Sequence, residues 1–151
     1  MYAKRSVSTR IAKYLFVVII FMGIISSLSL LVMASNKSDA EAINISGSLR
    51  MQSYRLLTEM ERSPNTVEQN LVRYQDSLNA NVLLTVQNQL FAPSGVRESY
   101  QKILQRWAVM SDFARAHQIE KYHAELKSYV QDVDDFVLEL QRFAEQKWIS
   151  A

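Results

Sequence analysis

The sequence predicts an all-α protein, an antiparallel four-helix bundle continuous with an N-terminal transmembrane helix. Three observations carry this reading. Only 3 Gly and 2 Pro occur in 151 residues, too few for the turns of a sheet-rich fold or for a glycine-rich phosphate loop. One stretch of 23 residues, Tyr14 to Asn36, bears no formal charge. Beyond it, apolar residues recur at spacings of three and four rather than two. With 48% hydrophobic and 21% charged residues, the chain can bury a core and is not compositionally disordered. Its length is that of one ordinary domain. The absence of Cys excludes disulfides, thiol nucleophiles and thiolate metal sites together.

The net charge of +2 averages two unlike pieces. Residues 1–13 hold Lys4, Arg5, Arg10 and Lys13 and no acid, whereas the other 138 residues carry 13 basic and 15 acidic side chains. A basic tail on a mildly acidic body does not resemble a nucleic-acid binder, whose cations belong on the folded part. Residues 14–36 form a helix of roughly 35 Å, enough to cross a hydrocarbon core of about 30 Å. Cations before the span and none within it place residues 1–13 in the cytoplasm. Residues 37–151 then lie in the periplasm of a bacterial inner-membrane protein. A cleavable secretory signal is the competing reading, since Val32-Met33-Ala34 has small residues at suitable places. Against it, the apolar run is nearer 20 residues than the 7–15 of a signal.

The membrane helix is expected to run on to Arg62, because Asp39 to Arg62 contains one glycine and no proline. Ser63-Pro64-Asn65 breaks it. Asn65 with Glu68 reads as a reciprocal N-cap. A second helix follows over Thr66 to Leu90, with Leu71, Tyr74, Leu78, Val82 and Val86 on one side. Ala92-Pro93-Ser94-Gly95 is the next break, with Pro93 suited to a first helical turn. In the third helix Val96, Tyr100, Ile103, Trp107, Met110 and Ala114 form a seam. After a polar link at Ala116-His117-Gln118, the fourth helix shows Leu126, Tyr129, Val130, Val133, Phe136, Val137, Leu140 and Phe143 as a wide apolar stripe. Short loops between four helices give an antiparallel bundle. Trp148 sits where one expects the approach to a second membrane crossing, so the chain reads as part of a longer protein.

The first exported helix carries two apolar tracks. Ala42, Ile45, Leu49, Leu56 and Met60 suit its own bundle. Ala40, Ile43, Gly47, Arg50, Tyr54 and Leu57 form a second, although one face is enough to join a bundle. A second face points to another copy of the chain across a two-fold axis. Gly47 fits such a contact, since it costs about 1 kcal/mol in a helix interior yet admits close backbone approach. On that axis Arg50 meets its own copy, and two cations about 6 Å apart repel by roughly 3 kcal/mol at an effective dielectric of about 20. One small planar anion between them turns repulsion into attraction, because guanidinium forks match oxyanion geometry. The alternative is that Arg50 bends into water or pairs with Glu41 or Glu59.

The run Asp39-Ala40-Glu41-Ala42-Ile43-Asn44-Ile45-Ser46-Gly47-Ser48-Leu49-Arg50-Met51-Gln52-Ser53-Tyr54-Arg55 closely resembles the periplasmic P-box of nitrate/nitrite sensor histidine kinases of the NarX and NarQ type. Its place after the first membrane helix, and Phe136-Val137-Leu138-Glu139-Leu140-Gln141 near the end, look most like NarQ. One departure is Ser46, where the family usually has alanine. The resemblance implies a homodimeric periplasmic sensor that binds one nitrate or nitrite between subunits. The motif's arginine, here Arg50, contacts the anion, and its glycine, here Gly47, lines the site. Ile43 and Tyr54 are further candidates for the lining. Family members continue into a second membrane helix, a HAMP linker and a kinase that phosphorylates a response regulator, parts not present in these 151 residues.

Other constellations carry less. His117 and His123 are six apart and share no helical face, so no metal pair is expected. Asp132, Asp134 and Asp135 lack the glycine turn and closing glutamate of a calcium loop and read as a solvated helix side. Met51, Met60 and Met110 are at core spacing. Arg55 and Arg62 are possible helpers of Arg50 or partners of Glu59. No catalytic residues, cofactor or metal are expected in this chain, and its partners are the anion, a second copy and the lipid bilayer. A chemotaxis-type receptor domain and a membrane-tethered helical binding module are the other readings.

Overall fold

The computed structural model describes residues 2–88 and 92–149, with the side chains of 2–6, 87, 147 and 148 left aside. Lys4, Arg5, the expected helix end at Leu90 and the interfacial Trp148 therefore lie outside the described side chains and residues. The elements among the described residues are all helices: α1 (Tyr2–Arg62), a 3-10 turn (Pro64–Thr66), α2 (Val67–Leu78), α3 (Asn81–Gln87), α4 (Ser94–Arg115) and α5 (Ile119–Ile149). The chain divides into two compact units at the Lys37–Ser38 boundary.

In the first unit the large apolar side chains of α1 from Val7 to Met33 all point outward. In water that surface is unfavourable at about 25 cal/mol per Å²; in lipid it is solvated. Ser27 and Ser29 donate to the carbonyls of Gly23 and Ile25, each at 2.9 Å, which satisfies these two hydroxyls within the helix. Among the described helices, only this one is long and apolar enough to cross a membrane.

In the second unit Asp39, Ala42, Ser46, Leu49, Ser53, Leu56 and Met60 are buried. Their spacing alternates strictly between three and four, the seam of a packed helix. Two positions of this seam are serines whose hydroxyls turn back onto the helix, Ser46 to the carbonyl of Ala42 and Ser53 to that of Arg50, both at 2.7 Å. Ile45, expected in the seam, is only half-buried beside it.

The second helix departs from expectation. It is broken at Asn79–Ala80, where Ala80 is extended (φ −54°, ψ 133°). The break resets the helical phase, so Leu83 replaces Val82 in the core and Val86 stays buried. It also frees carbonyls at the end of α2, and the Tyr100 hydroxyl donates to that of Leu78 at 2.6 Å. A buried acceptor left unpaired there costs about 1–3 kcal/mol. At the start of α2 the capping position is Thr66 rather than Asn65, and no side chain caps it, because Pro64 draws the chain into a 3-10 turn first. Pro93 likewise sits at the N-cap of α4, one residue before its first turn.

The six seam residues of α4 are all buried. Of the α5 stripe only Val137 falls short of burial, and α4 packs along α5. Tyr74 stacks on Trp107 with ring centroids 3.6 Å apart, and Tyr129 tilts against both. The link from α4 to α5 turns on His117 at φ 55°. Its amide and that of Gln118 donate to the carbonyls of Ala114 (3.2 Å) and Phe113 (2.9 Å), the bond pair of a Schellman cap.

Candidate functional site

Arg50 lies on α1 three residues before Ser53, whose hydroxyl ties back to the Arg50 carbonyl. Ser53 in turn offers its own carbonyl to the buried Tyr122 hydroxyl of α5 at 2.8 Å. The Arg50 side chain, anchored at its base by this latch, leaves the core and is 55% exposed. Neither acid expected as its alternative partner reaches it. Its Nη1 donates instead to Asp134 Oδ1 at 3.0 Å, a carboxylate 40% exposed on α5. Glu59 is taken by Arg55 at 2.9 Å and by the Asn70 amide.

The other candidates surround Arg50 on the same face. Gly47 is half-buried, and a Cβ built on it meets nothing within 4 Å. Ile43 is half-buried against the core margin. Tyr54 is 48% exposed and Met51 70%. The core position expected for Met51 is thus overturned: it follows the Arg50 track outward, while Met60 and Met110 are buried. Arg50, Met51 and Tyr54 form an exposed patch on α1, with Ile43 and Gly47 half-buried at its margin. Large apolar side chains grouped in this way mark interaction surfaces.

The three aspartates of α5 are not equivalent. Asp132 is 7% exposed and bridges Lys102 (2.8 Å) and Arg106, which also pairs with Glu125 at 3.1 Å and donates to the Ser128 hydroxyl at 2.8 Å. The expectation of a solvated side fails there. Asp132 stands three residues after Tyr129 and four before Phe136, inside the apolar seam, and that spacing was the available signal. Asp135 accepts from Gln131 at 3.1 Å. No group of three or more His, Cys, Asp or Glu able to hold a metal occurs among the described residues.

A cleft of about 290 Å³ opens between α1 and α2, lined by Gln52, Arg55, Glu59, Asn70, Arg73 and Ser77. Deeper in the unit, burial pushes the phenols of Tyr74, Tyr122, Tyr129 and Tyr100 above their ordinary range. Tyr74 and Tyr129 share a hydroxyl–hydroxyl bond. These tyrosines are neutral hydrogen-bonding struts at physiological pH.

Arg50 thus sits on a partly exposed face of a helical unit that follows an apolar helix in sequence. The chain belongs to the family described as the N-terminal region of type IV pili methyl-accepting chemotaxis transducers (PilJ), matched over residues 31–129. Among individual proteins, it is 63% identical over 149 residues to the sensor protein NarQ homolog of Haemophilus influenzae. It is 34% identical over 149 residues to the nitrate/nitrite sensor protein NarQ of Escherichia coli K12. Each alignment covers 99% of this chain and 26% of the relative, so the chain spans about a quarter of the length of these relatives. The likeness to NarQ-type sensors carried by residues 39–55 therefore extends along the whole chain.

Proposed function

We propose that this chain is the input region of a membrane-bound nitrate/nitrite sensor histidine kinase, binding one anion between two copies of itself. The observation that carries the proposal is the guanidinium of Arg50, more than half exposed on a face of α1 where Met51 and Tyr54 are exposed as well. The E. coli relative, described as a nitrate/nitrite sensor, supports the identity of the anion. In this reading α1, α2 with α3, α4 and α5 are the members of an antiparallel four-helix bundle. Ile43, Met51 and Tyr54 meet their counterparts across a two-fold axis, and Gly47 admits the close approach. The two Arg50 side chains then face one planar anion, each able to present a fork of N–H donors.

Residues 14–36 span the inner membrane, residues 1–13 lie in the cytoplasm, and the second unit is periplasmic. A shift of α1 around Arg50 is the movement that reaches the membrane, because residues 14–36 precede this unit directly in the sequence. The anion biases two arrangements only by its difference in affinity for them. The response regulator is reached through parts of the parent protein outside these 151 residues.

Titration calorimetry of the whole chain in detergent micelles with sodium nitrate tests this directly. Arg50→Ala is expected to abolish the heat of binding, and equal heats in both proteins remove Arg50 from the site. The family match over residues 31–129 favours a second reading, a chemotaxis-type receptor with the same input unit and a methylation-helix output. The sequence following Ala151 in the parent protein separates the two.

A further inference from the structure

Arg50 has no acid within a helical turn on α1, where positions 46, 47, 53 and 54 are Ser, Gly, Ser and Tyr. Asp134 has no cation within a turn on α5, where positions 130, 131, 137 and 138 are Val, Gln, Val and Leu. The neighbouring aspartates are committed elsewhere, Asp132 to Lys102 and Arg106, and Asp135 to Gln131. Across 84 residues of sequence, the Arg50 guanidinium meets the Asp134 carboxylate at 3.0 Å, and both side chains remain open to solvent. A pair isolated in this way has one consequence if Arg50 receives an anion from outside: the carboxylate already occupies one of its donors.

We propose that Asp134 is the resident counter-ion of Arg50 and competes with the ligand anion for the guanidinium. The inference rests on the reading of Arg50 as the anion contact. In the ligand-free protein the carboxylate screens the charge that two facing arginines present to each other, so the two copies can adjoin without a guest. When nitrate arrives, the guanidinium shares or surrenders its bond to Asp134, and the carboxylate lowers the gain on binding. Asp134 is thus an affinity-setting residue rather than part of the anion cradle. It also joins α5 to α1 at the point where the ligand acts, so ligand entry alters a link between two helices as well as a contact between two copies.

Calorimetry with sodium nitrate at fixed low ionic strength on the whole chain in micelles tests it, using wild type, Asp134→Asn, Asp134→Glu, Arg50→Ala and the double variant Arg50→Ala with Asp134→Asn. A half-exposed pair is worth a roughly two- to fivefold change, so Asp134→Asn is expected to bind nitrate about two- to fivefold tighter. Asp134→Glu, which keeps the charge, is expected within about twofold of wild type. The double variant is expected to match Arg50→Ala, since the aspartate acts only through the arginine. Unchanged or weaker binding in Asp134→Asn, with Arg50→Ala still inactive, overturns the counter-ion role and leaves the anion site standing. The same tightening in Asp134→Glu as in Asp134→Asn also overturns it, because charge is then not the cause. Equal heats in wild type and Arg50→Ala sink the anion site, and this inference with it.

Discussion

Replacing Gly47 by alanine separates what the single chain needs from what the assembly needs. A Cβ at position 47 meets nothing within 4 Å in the chain, so the added methyl brings no clash. Alanine in place of glycine in a helix interior contributes about 0.8–1 kcal/mol, chiefly by narrowing the unfolded ensemble. With an unfolding entropy of about 2.1 cal/mol/K per residue, the unit Ser38–Ala151 gains about 3–4 °C in Tm. The same methyl, facing its copy across a close helix pair, overpacks the contact at a cost of about 1–3 kcal/mol. That corresponds to roughly 5- to 150-fold weaker nitrate binding. Circular dichroism melts at low protein concentration, paired with nitrate calorimetry, read the two effects separately. A fall in Tm at dilution means that something within the chain sits against Gly47 and refutes the open space seen there. A rise in Tm with unchanged nitrate affinity refutes the close approach of two copies at this glycine.

Stability is expected to fall at alkaline pH. Burial raises the phenols of Tyr74, Tyr122 and Tyr129 above the ordinary tyrosine range of about 10, so the unfolded chain releases these protons first. Their contribution is complete below about pH 9.5 and is lost above pH 10, by about 1.4 kcal/mol per phenol at pH 11. Urea unfolding at pH 8 and 11, followed with tyrosinate absorbance, checks both halves, and ionisation of all three in the folded protein at pH 11 contradicts their burial. His117→Gly is expected to stabilise the protein by about 0.5–1 kcal/mol, because histidine holds φ 55° at the cap of α4 where glycine is unstrained. Loss of stability in that variant, measured by urea midpoint, shows a side-chain role for His117.

Much of the helical architecture was legible from spacing alone. The α4 seam was read residue for residue, because a helix buried along one face must repeat its apolar side chains every 3.6 residues. The errors fall where the local pattern is silent about neighbours. Val82 and Leu83 exchanged places because a single extended residue, Ala80, resets the phase, and the Tyr100 hydroxyl that completes the freed carbonyl comes from another helix. The spacing of Met51 predicts a core position, yet it follows the outward track of Arg50. Asp132 was assigned to solvent from its charge, yet Lys102 and Arg106 on α4 cover it.

From the order of residues alone came the helical class, the apolar span, the second track on α1 and the P-box likeness that singles out Arg50 and Gly47. These depend on neighbours within a few positions, which helix geometry places on one face whatever else the chain does. The partner of Arg50, the latch of Tyr122 onto Ser53 and the cover over Asp132 belong to the tertiary structure. Each joins groups on different helices, and nothing in local periodicity says which faces meet or which carboxylate arrives opposite a given cation.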